Sequence, residues 1–113
     1  MLLRSGIFTS EQLQAIARDY RQAGLEPAEV AMMAFAEKIA AAAYTVTPGD
    51  VEALRRHGFS DMEVLDIAFA AAARCFFSKV LDGVGAEPDQ VFSNIDENVR
   101  RALVVGRAFD RAL

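Results

Sequence analysis

A chain of 113 residues with 53% hydrophobic content is long enough to bury the core of one domain and too short for the usual two. Its net charge of −4, with no basic run longer than two residues, leaves out the electrostatic footprint of a nucleic-acid or anionic-membrane binder. No apolar run approaches the roughly 20 residues of a membrane span, and a single cysteine rules out an internal disulfide and suits a reducing cytoplasm.

Alanine is abundant, Gly and Pro fall between periodic segments, and β-branched residues form no alternating runs, so the chain is expected to be all-α. Residues 1–8 are short and apolar with Gly6 as a helix stop, and are expected to form the last turn of a helix. Thr9 with Gln12 is a capping-box pattern that opens a helix of about 10–23, carrying Leu13, Ile16, Ala17 and Tyr20 up to Gly24. Pro27 opens a second helix whose stripe of Met32, Phe35, Ala36, Ile39 and Ala43 should face the core, with Glu37 and Lys38 outward or at its edge. Thr47, Pro48 and Asp50 start a short third helix that ends at His57 and Gly58.

Ser60 and Glu63 form another capping box. The helix they open, 60–83, carries the stripe Leu65, Ala68, Phe69, Ala72, Phe76 and Val80, widened by Val64, Ile67, Ala71 and Ala73. A helix that is apolar all round is expected to be surrounded, so this one should be the buried centre of the fold. Gly83 and Gly85 stop it, Ser93 or Asn94 can cap a last helix through Val99 and Leu103, and RAFDRAL makes a tail.

Residues able to carry chemistry are few. His57 has no neighbouring imidazole or thiol and fits an ordinary place beside the carbonyl end of a helix. Cys75 is a weak catalytic candidate: it lacks a second cysteine at dithiol spacing, so core packing accounts for it more simply than a reactive thiol. Asp61 and Glu63 serve a helix start, and Arg74 and Lys79 are candidates for an ion pair with Glu37 or Asp66, or for holding an anion. No metal spacing, phosphate loop or Ser-His-Asp set is present, and no cofactor is expected.

The segments MAFAEK (33–38), V-x-x-L-R-x-x-G-F-S-D (51–61) and the helix that follows resemble the C-terminal half of alkylhydroperoxidase D-like proteins of the carboxymuconolactone decarboxylase family, in the peroxidase-related branch. The resemblance spans about residues 13–92. It implies a small orthogonal bundle of about five helices in a single domain, 1–113, with 93–113 as C-terminal helix and tail. It also implies peroxide chemistry by a Cys-x-x-Cys-x-x-x-His motif with an upstream Glu, and none of those positions occurs in this chain. The family's Phe-Asn-x-x-Asn-Arg pattern appears here as Cys75-Phe76-Phe77-Ser78-Lys79, and Cys75 matches none of the family's redox cysteines.

The expectation is therefore a cytoplasmic member of that family that homo-oligomerises through apolar helices without dithiol chemistry. Two others are a peroxidase-like oxidoreductase whose catalytic half precedes residue 1 or comes from another polypeptide, and a small-ligand binding module using Arg74 or Lys79.

Overall fold

The computed structural model describes residues 6–104, which hold five α-helices and no strand. They are α1 (Ser10–Asp19), α2 (Pro27–Ala42), α3 (Pro48–Arg56), α4 (Asp61–Gly83) and α5 (Glu97–Leu103), with single 3-10 turns at Tyr20–Gln22, Ala43–Thr45 and Gln90–Asn94. Of the helix end expected over residues 1–8, residues 1–5 lie outside the described residues, as does the tail turn at 107–113, and Gly6 takes φ 67°. The chain divides into two compact units, one running from Leu25 to Ala86 and the other joining the residues up to Gly24 with those from Glu87 onward.

The starts and stops follow local chemistry. The Thr9 N–H donates to Gln12 Oε1 at 2.9 Å while Gln12 N–H donates to Thr9 Oγ1 at 3.2 Å, so two otherwise unpaired groups are satisfied at the start of α1. Ser60 and Glu63 do the same for α4: the Ser60 N–H donates to Glu63 Oε2 at 2.7 Å and Ser60 Oγ accepts from Glu63 N–H at 3.2 Å. At the end of α4, Gly85 takes φ 71° and Ala86 N–H reaches back to the Leu81 carbonyl at 2.9 Å, a Schellman closure.

The same closure ends α3. Gly58 has φ 91°, Phe59 N–H donates to the Leu54 carbonyl at 3.2 Å, and Phe59 packs on the cluster that contains Leu54. A Cβ at Gly58 would meet nothing within 4 Å, so Gly58→Ala isolates the left-handed backbone cost. It should lower stability by about 1 to 2 kcal/mol, read from the urea midpoint, and Gly58→Asn should lose less.

In the 25–86 unit, α4 packs along α2 while α3 touches both. Phe35, Leu54 and Val64 form the buried cluster, ringed by Ala31, Ile39, Val46, Val51, Phe59, Ile67 and Ala68. Ala43, placed on the core stripe by its spacing, is exposed because α2 ends at Ala42. In the other unit α1 packs on α5, Val99 is fully buried, and the Arg21 guanidinium lies 4.3 Å above the centre of the Tyr20 ring. The cap of α5 is Asp96, whose carboxylate accepts from the Asn98 and Val99 amides. Ser93 and Asn94 belong instead to the preceding 3-10 turn, where the Ser93 hydroxyl donates to the Gln90 carbonyl.

The buried central helix needs correcting. α4 exists over the expected span, but its only buried side chain is Val64. The half-buried face carries Val64, Ile67, Ala68, Ala71, Cys75 and Ser78, while Leu65, Phe69, Phe76 and Val80 are exposed. The physical reason is supply: α4 has 23 residues, about 35 Å, and its unit offers only the 16-residue α2, about 24 Å, and the 9-residue α3 to cover it. Small side chains on the packed face bring α2 close, and the large rings are left on the opposite side.

Candidate functional site

The outward face of α4 is built by spacing. Met62, Phe69, Ala73, Phe76 and Val80 recur at helical intervals along one line, directly across the helix from the Val64-to-Ser78 line that packs. Leu65 and Ala72 flank that line on one side and Ala70 and Phe77 on the other. Phe69 is 64% exposed, Phe76 71% and Met62 66%. Single exposed apolar residues are ordinary, whereas a contiguous strip of this kind is a candidate interaction surface.

Asp61, Glu63 and Asp66 lie in the first two turns of α4, Arg74 and Lys79 in its second half, and Asp82 in its last turn. The acids at the start are committed to structure: Glu63 is held below its ordinary carboxylate range first by the Ser60 N–H, and Asp61 by Arg55, whose Nε donates to it at 2.7 Å. Arg55 also reaches Glu52 at 3.3 Å, so one guanidinium ties the end of α3 to the start of α4.

The expected ion pairs of Arg74 and Lys79 with Glu37 or Asp66 do not form; neither base has an ion-pair partner among the described residues. Glu37 is exposed. The paired lysine is Lys38, whose Nζ donates to Asp50 Oδ2 at 2.7 Å and ties α2 to the start of α3. Thr47 N–H and Oγ1 donate to the same oxygen at 2.7 and 2.9 Å.

The Lys38 ammonium, then the Thr47 donors, lower the Asp50 carboxyl from 3.8 to about 2. A depressed folded-state value means that the contribution of Asp50 to stability is complete above about pH 4 and is lost as pH falls through about 2. Asp50→Asn should therefore flatten the acid limb of the stability profile between pH 4 and 2, as followed by circular dichroism in urea.

Cys75 is a free, half-buried thiol on the packed line of α4. His57 is the exposed C-cap of α3, the ordinary place expected for it. The described residues contain no group of three or more His, Cys, Asp and Glu able to hold a metal ion. No described helix is long and apolar enough to cross a membrane.

Sequence reasoning named Phe69, Ala73, Phe76 and Val80 of the outer strip but assigned them inward, and it did not name Met62. The available signal was that α4 carries two apolar lines on opposite sides, of which a short chain can cover one. No family model, curated protein or solved structure matches the chain.

Proposed function

We propose that this chain is a helical assembly domain of alkylhydroperoxidase D-like type, without dithiol chemistry, that associates with further copies of itself through the outer face of α4. The observation that carries the reading is that face: a line of large apolar side chains on a well-capped helix, opposite the side its own unit uses. The family resemblance over residues 13–92 adds the fold type and the tendency of such helices to assemble. A cytoplasmic setting fits the lone unpaired thiol, and the acidic balance of the chain does not favour a nucleic-acid partner.

The chemical half of the proposal is tested by a hydroperoxide reduction assay with a dithiol donor. Turnover should not exceed the protein-free rate, and Cys75→Ser should change nothing. Turnover that disappears in Cys75→Ser would overturn the non-dithiol reading.

A further inference from the structure

We infer that α1 and α5 form a clasp that opens as one element while the 25–86 unit stays folded, giving the chain an open state short of unfolding. The inference does not rest on the outer face of α4.

Neither helix of the clasp stands alone. α1 has 10 residues and α5 has 7, and isolated helices shorter than about 12 residues are marginal in water. Each is held by the other: α1 packs on α5, and among the described residues of their unit only Tyr20 and Val99 are buried. Losing one helix therefore loses both.

The 25–86 unit has more to hold it. Phe35, Leu54 and Val64 from three different helices share one buried cluster, Lys38 pairs with Asp50 between α2 and the start of α3, and Arg55 pairs with Asp61 between α3 and α4. No ion pair joins α1 to α5 among the described residues; that of Arg101 with Glu97 stays within α5.

Chain order decides which unit opens first. Residues 20–96 lie between α1 and α5, so with 25–86 unfolded their pairing would have to close a loop of that whole length, an entropic cost that the folded unit reduces. The helices α2, α3 and α4 follow one another through short connections and need no such closure. The dependence is therefore one-way: the clasp requires the 25–86 unit, and the 25–86 unit does not require the clasp. A partner that binds α1 or α5 in the open form competes with their mutual packing alone and not with the whole fold.

The test is hydrogen exchange of the full chain at one protein concentration, read by NMR at the amides of the five helices, with Val99→Ala and Val64→Ala as separate variants. In the parent, the amides of α1 and α5 should share one rate, at least about tenfold above that of the slowest amides of α2, α3 and α4. Val64→Ala, placed in the 25–86 cluster, should accelerate α2, α3 and α4 by a larger factor than α1 and α5. Val99→Ala should accelerate α1 and α5 together, and the other three helices as well, because their opening includes that of the clasp. Equal rates in all five helices of the parent, or equal acceleration of all five by Val64→Ala, would show a single cooperative unit and overturn the inference. Unequal responses of α1 and α5 to Val99→Ala, or no response of α2, α3 and α4, would also overturn it, the first by separating the two helices and the second by reversing the order of opening.

Discussion

Replacing Phe69 and Phe76 together with glutamate is expected to give a chain that remains folded and helical but is monomeric. Both rings are mostly exposed, so their removal creates no cavity, and glutamate is a good helix former at exposed positions. Their loss falls on association. Buried aromatic anchors at the centre of an interface are worth about 2 kcal/mol or more each, and two of them correspond to roughly a thousandfold weaker self-association. Sedimentation velocity reads the change, and far-UV circular dichroism with urea unfolding of the monomer verifies that the fold persists. A variant that loses cooperative unfolding would show that these rings belong to the chain's own core.

Leu54→Ala should act in the opposite sense, sparing the outer face and weakening the fold. Leu54 is 1% exposed, joins Phe35 and Val64 in the buried cluster, and accepts through its carbonyl the closing hydrogen bond from Phe59. Truncation removes its transfer free energy and leaves a cavity that three helices on few residues cannot readily collapse, a cost of about 2 to 5 kcal/mol. Against the 5 to 15 kcal/mol typical of a whole domain, that is a large fraction of the stability. The urea midpoint should fall accordingly, and an unchanged midpoint would contradict the placement of the core at the α2, α3 and α4 junction.

These two variants divide the apolar residues of the chain into those that build the fold and those that are left over. The division also shows what was legible beforehand. Helix starts at Thr9, Thr47 and Ser60 and stops at Gly58 and Gly85 are settled within about four residues, by side chains that reach the nearest amides and by glycines that accept positive φ. They can be read without the rest of the molecule.

The orientation of α4 is another matter. Its two sides are nearly equal in hydrophobicity, so no local rule selects the packed one. Selection comes from Phe35 and Leu54, distant in sequence, which meet Val64 on the side where Ala68 and its small neighbours leave room. The ion pairs failed for a related reason. Lys38 finds Asp50 because the turn after α2 returns α3 beside it, whereas Arg74 and Lys79 are on exposed positions of α4. The cap of α5 shifted from Ser93 or Asn94 to Asp96 because the earlier residues are used by a 3-10 turn, a choice between equivalent capping residues only a few positions apart.

The central claim is that the outer face of α4 is covered by a second copy of the chain. Sedimentation equilibrium of the unaltered protein across about three decades of concentration tests it directly. The account predicts a mass that rises with concentration to twice the 12.3 kDa of the chain, and a mass that stays at 12.3 kDa at the highest concentration would contradict it.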